Sequence, residues 1–128
     1  MAATVGTVAS PIATKLVTDT DADATEEAHA SGASGSIYMV EIDNTDNVVA
    51  TYIKVLDATS GTPATSAADF IFVAPAKTKV SYVCSTGNAF SQGITFWGTS
   101  TLDNSPDGSS SVSQVGPGND VKTRFLTT

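Results

Sequence analysis

From Ile37 onward the chain carries its aromatic and β-branched residues in short bursts, each closed by Gly, Pro, Asn, Asp or Ser. That spacing constrains the fold more than any other feature, because it is the signature of many short strands rather than of helices. Strand candidates fall at residues 36–43, 48–57, 69–73, 78–84, 93–100 and 121–127, with weaker ones at 14–18 and 110–115. Six to eight strands at this spacing predict an all-β chain: a single β-sandwich or small jelly roll over residues 36–128.

Alternation along the first two runs assigns faces. Tyr38, Val40 and Ile42 share one face of the first, opposite Ile37, Met39 and Glu41; Val49, Thr51, Ile53 and Val55 oppose Ala50, Tyr52, Lys54 and Leu56 on the second. Both faces carry apolar side chains, so one is expected in the core and the other partly covered by something else. Between the runs, "DNTDN" at 43–47 has the Asn and Asp chemistry of a tight hairpin turn. Residues 57–69 read as a longer loop with Gly61 and Pro63, and "APAK" at 74–77 as a Pro turn joining a strand pair. Further turns are expected at 85–93 and 103–111.

Residues 1–35 are Ala, Thr, Ser, Gly and acids, with Leu16 and Val17 as the one large apolar pair in a strand-like setting. Such a stretch cannot build a core of its own and is expected to be an extended N-terminal arm. Fully extended, 35 residues reach roughly 115 Å at about 3.3 Å per residue, enough to cross onto a neighbouring subunit. The 128 residues suit one domain plus such an arm.

A net charge of −7 with only six Lys and Arg argues against nucleic acid and against a membrane surface as partners. No basic head with an apolar block marks a secretory signal, and no run of about 18 apolar residues occurs, so a protein made in a cytoplasm is expected. The lone Cys84 cannot form an internal disulfide and reads as a small core hydrophobe.

Candidate chemistry is sparse. Asp19, Asp21 and Asp23 copy positions 1, 3 and 5 of a helix–loop–helix calcium loop, but Ala24 stands where the turn needs Gly and Ala30 where a bidentate Glu belongs. His29 lies beside no distinguishable nucleophile. Cysteine–histidine metal spacing and phosphate-cradling loops are absent from the sequence. Glu41 and Asp43 share a strand face without an acid placed opposite on a second strand or the large aromatic-lined cleft that glycoside hydrolysis needs. No catalytic residue, cofactor or metal is therefore assigned, and an enzyme is not expected. In "GITFWGTS", alternation sends Phe96 and Trp97 to opposite faces, making Trp97 an outward interface anchor or sugar platform if Phe96 is core, with simple core packing of Trp97 the remaining reading.

Between Tyr38 and Thr99 the chain carries Asp43, Asn44, Thr45 and Asn47 in a strand-ending turn, then Tyr52, Lys54 and Asp57, then Pro75, then Gly87, Phe90, Gly93 and Ile94. In that order these residues resemble the pattern of a group of small tailed-phage structural proteins. The resemblance implies a virion protein made in the host cytoplasm, most like a capsid decoration or cement protein. Its implied partners are the major capsid protein and copies of itself in a homotrimer; tail, neck and head-fibre roles are the alternatives. The doubled apolar faces nominate Ile37, Met39, Tyr52 and Leu56 as interface residues, with Trp97 and Phe125 as lesser candidates. A carbohydrate-binding adhesin module with Trp97 stacked on a sugar is the reading from another class.

Overall fold

Period-two burial is what assembles this chain. The computed structural model describes residues 3–7, 13–23, 25–28, 30, 34–62, 66–100 and 121–128. Within them lie β1 (Thr4–Thr7), β2 (Lys15–Ala22), β3 (Gly35–Asp43), β4 (Thr51–Asp57), β5 (Phe70–Ala74), β6 (Lys79–Phe90), β7 (Ile94–Thr99) and β8 (Val121–Thr127). Two antiparallel sheets result, one ordered β1-β2-β8-β3-β6 and the other β5-β4-β7. The expected β-sandwich is therefore present.

On β8 the strict alternation of buried Val121, Thr123, Phe125 and Thr127 with outward Lys122, Arg124 and Leu126 sets the pattern. Val17, Val40, Ile42 and Phe125 of the larger sheet meet Ile53, Val55, Phe72, Ile94 and Phe96 of the smaller one in a single buried cluster. Two tilted aromatic pairs bridge the layers: Phe96 with Phe125 at 4.8 Å between ring centroids, and Phe72 with Tyr82 at 5.4 Å. Each buried aliphatic or aromatic side chain of this kind contributes about 1.5–3 kcal/mol relative to its exposed state.

The faces of β3 differ from simple alternation. The register shifts between Ile37 and Met39, where β6 inserts extra residues between Val83 and Asn88. This bulge puts Ile37 inward with Val40 and Ile42, and leaves Tyr38 only half-buried. A bulge re-phases everything on one side of it, which residue spacing alone does not reveal. Gly87 sits in the bulge at φ 77°, and a Cβ there would lie 2.8 Å from the Cβ of Ser36. β6 continues through Phe90, so most of the turn expected at 85–93 is strand.

The expected hairpin at 43–47 is likewise corrected, because β3 and β4 belong to different sheets. The same is true of β5 and β6 across Pro75. Both connections are corners where the chain changes layer, and Asn44 stitches one to the other. Its Nδ2 donates to the carbonyl oxygens of Val49 (2.9 Å), Ala74 (3.1 Å) and Pro75 (3.2 Å), and its Oδ1 accepts from Thr51 Oγ1 at 3.0 Å. The Asn44 N–H donates to Thr78 O, and the Lys77 N–H to Asn47 O. Asn44 is fully buried.

The extended arm is not found among the described residues of 13–30. β2 pairs with β1 on one side and β8 on the other, and Val17 is core. Beyond it, Asp23, Glu27 and Ala30 bond along the edge of β7: Gly98 N–H donates to Asp23 O, Glu27 and Phe96 exchange backbone bonds, and Ala30 N–H donates to Ile94 O. Backbone bonding holds this stretch, so its scarcity of large apolar side chains does not keep it apart from the sandwich. It also covers a strand edge that would otherwise template aggregation. Ala24, His29 and the weak strand candidate at 110–115 lie outside the described residues, as does the turn at 103–111.

Taking β2 into the sheet buries an acid. Asp19 points inward at 2% exposure and accepts a bond from the Asp21 N–H at 3.1 Å. Burial first, then the neighbouring Asp21 and Glu27, push its pKa up to about 7 from 3.8. A carboxyl raised in this way favours the folded state when protonated. Its contribution is fully present below about pH 4 and is lost as pH rises through 7. We expect Asp19→Asn to flatten that part of the stability profile and to be about 2 kcal/mol more stable than the parent at pH 8. Urea unfolding at pH 4 and pH 8 checks this; equal pH dependence in the two proteins would assign the slope to other groups.

Candidate interaction surface

The outer face of the five-stranded sheet has a row structure that follows from register. Leu16 of β2 pairs with Leu126 of β8, Leu126 with Met39 of β3, and Met39 with Val83 of β6, so four apolar side chains form one line across four strands. None belongs to the buried core cluster, and Val83 is 76% exposed. An outward sheet face is ordinarily polar. At the β6 end, Tyr38, Met39, Val83, Cys84, Ser85 and Leu126 line a groove of about 300 Å³. Cys84 is thus half-buried in this groove rather than a core residue, its Sγ accepting from Asn88 Nδ2 at 3.2 Å.

Two residues further along the strands the character changes. The next row is Thr18, Arg124, Glu41 and Ser81, and the one beyond it sets Asp43 between Lys122 and Lys79. Glu41 lies 3.7 Å from Lys79 Nζ and 3.9 Å from Arg124 Nη1, long contacts with both cations more than half exposed. Asp43 is engaged by Thr45, whose hydroxyl and N–H donate to Oδ1 at 2.6 and 3.2 Å. Those bonds, with Lys122 and Lys79 adding, hold its carboxyl below the usual range. These two rows carry three of the chain's six cationic residues against two of its 13 carboxylates. On a protein of net charge −7, these two rows sum to one positive charge.

The other nominated residues lie elsewhere. Ile37 and Phe125 are fully buried in the core and belong to no surface. Met39 alone of the six lies in the apolar row. Tyr52 and Leu56 are half-buried on the outer side of the three-stranded sheet. Trp97 does point away from Phe96, opposite Lys54 in register, but it is 2% exposed and offers no platform for a sugar ring. Nearby, residues 58–61 fold against that side: Thr95 Oγ1 donates to Ala58 O, and Gly61 N–H to Glu26 Oε2. The apolar row itself was missed because it is written across strands rather than along one.

No group of three or more metal-ligating side chains occurs among the described residues, and no helix there is long and apolar enough to cross a membrane. The chain matches no family model, no curated protein and no solved structure.

Proposed function

We propose that the protein is a structural binding protein without catalytic machinery, which works by seating the outer face of its five-stranded sheet on another protein. In its specific form this is a virion protein that decorates and reinforces a phage capsid, as the turn and strand motifs between Tyr38 and Thr99 imply by resemblance. The observation that carries the docking role is the Leu16–Leu126–Met39–Val83 row, an ordered apolar line on a face where water-facing strands are normally polar. Major capsid protein is the partner for that face. Tyr52 and Leu56, on the opposite sheet, are left for contacts among copies of a homotrimer. The burial of Trp97 counts against the sugar-binding alternative.

Quantitative mass spectrometry of purified particles tests the virion role. Copies on the order of one per capsid subunit are expected for a lattice cement, since a symmetric shell repeats the docking site. A handful per particle would instead assign it to neck, tail or fibre, and absence from particles would overturn the virion role.

A further inference from the structure

We infer that the partner element seated on this face is an acidic amphipathic helix, its apolar stripe on the Leu16–Leu126–Met39–Val83 row and its carboxylates turned toward Arg124, Lys122 and Lys79. The inference rests on the docking role proposed above and adds the chemistry and shape of what docks. Charge supplies the first argument. Within an acidic chain the two polar rows beside the apolar line hold three cations against two carboxylates and so keep one positive charge uncompensated: Glu41 is shared by Lys79 and Arg124 at 3.7 and 3.9 Å, and Asp43 lies between Lys122 and Lys79. A partner with carboxylates along one flank completes that pattern, whereas a basic partner meets like charge.

Dimensions supply the second argument. From Leu16 to Val83 the row crosses three inter-strand spacings, about 14 Å at about 4.8 Å each. A helical stripe at i, i+3, i+4, i+7, continued to i+8 or i+11, matches that length in about two and a half turns of 5.4 Å. The Arg124 row lies two residues along the strands, about 7 Å to one side. Acidic side chains on the flank of a helix roughly 10 Å wide reach it. An extended peptide fits less well, because with alternate side chains seated on the row the intervening ones point directly away from the sheet. Val83, most exposed of the four, and the adjacent groove receive the largest side chain of the stripe.

Fluorescence anisotropy with three synthetic helical peptides tests this. All are of equal length; one has a Leu stripe flanked by Glu, one a Leu stripe flanked by Lys, and one an Ala stripe flanked by Glu. The Leu/Glu peptide is expected to bind at least tenfold more tightly than either other, and to weaken as salt is raised. Val83→Asp should abolish binding, and Arg124→Glu with Lys122→Glu should reverse the preference to the Leu/Lys peptide; all three positions are exposed, so the fold is retained, as circular dichroism will confirm. Equal binding of Glu- and Lys-flanked peptides, or binding untouched by Val83→Asp, overturns the inference. So does a wild-type oligomer in sedimentation that Val83→Asp dissociates, which would give the face to a second copy. Particle incorporation separates the two proposals. Full copy number for the Val83→Asp protein would sink the helix site and leave the virion role standing. Peptide binding without incorporation of the wild type would do the reverse.

Discussion

Asn44→Asp is expected to destabilise the fold by about 4 kcal/mol at pH 7, although it exchanges one amide NH2 for an oxygen of nearly the same size. The Nδ2 group faces three carbonyl oxygens, of Val49, Ala74 and Pro75, in a fully buried site. An ionised carboxylate there sets negative charge against three carbonyl dipoles with no water between. A protonated one offers a single O–H to three acceptors. Both corners where the chain changes sheet depend on these bonds, so loss at one loosens the other. Because the introduced carboxyl favours its protonated form, the deficit should shrink as pH falls toward 4 and grow as pH rises. Urea titrations at pH 4 and 7 measure both effects. A loss below 1 kcal/mol at pH 7 would show that the corners hold without the amide.

The second large effect is expected at Phe125. Its ring is fully buried, 4.8 Å from Phe96 across the two layers, and in register Val17 and Val40 flank it on neighbouring strands. Phe125→Ala removes the centre of the interlayer contact and should cost about 3–5 kcal/mol, while Phe125→Leu, which refills part of the space, should cost clearly less. Domains of this size have only about 5–15 kcal/mol in hand, so the Ala variant is expected to be partly unfolded at moderate temperature. If the two variants were equally stable, the ring would not be the tightly packed element its burial suggests.

Much of the architecture was legible in the sequence because β-strands advertise themselves locally. β8 was placed at its observed bounds, and β3, β4, β5 and β7 within three residues at either end. What escaped notice depends on partners distant in the chain. The short β1 has no large apolar row to mark it. β2 is marked only by the weak strand candidate at 14–18, inside a stretch expected to be a free arm, because a strand between two others can be secured by backbone bonds and one Val. "DNTDN" has the composition of a hairpin turn, yet the same Asn chemistry serves a corner equally well, and only the pairing of β3 with β6 and β8 distinguishes them. Of the surface, Met39 was legible as an apolar residue opposite the core. Its row was not, since Leu16, Leu126 and Val83 join it only through register, and the bulge at Ile37 decides which β3 residues face outward. Ile37, Trp97 and Phe125 were nominated by size and hydrophobicity, properties that core and interface residues share.

The position of β8 has a consequence for synthesis. This strand lies between β2 and β3, yet Val121 follows Asp43 by about 80 residues. At the ribosome's pace of about 5–20 residues per second, β2 and β3 are made roughly 4–16 s before the strand that joins them. During that interval the larger sheet can form only as two separate pairs, β1 with β2 and β3 with β6, each with one edge unsatisfied. The nascent chain therefore folds by late insertion of a central strand, a non-local step of the slow kind. Its exposure to mispairing is set by translation time rather than by the stability of the finished sandwich.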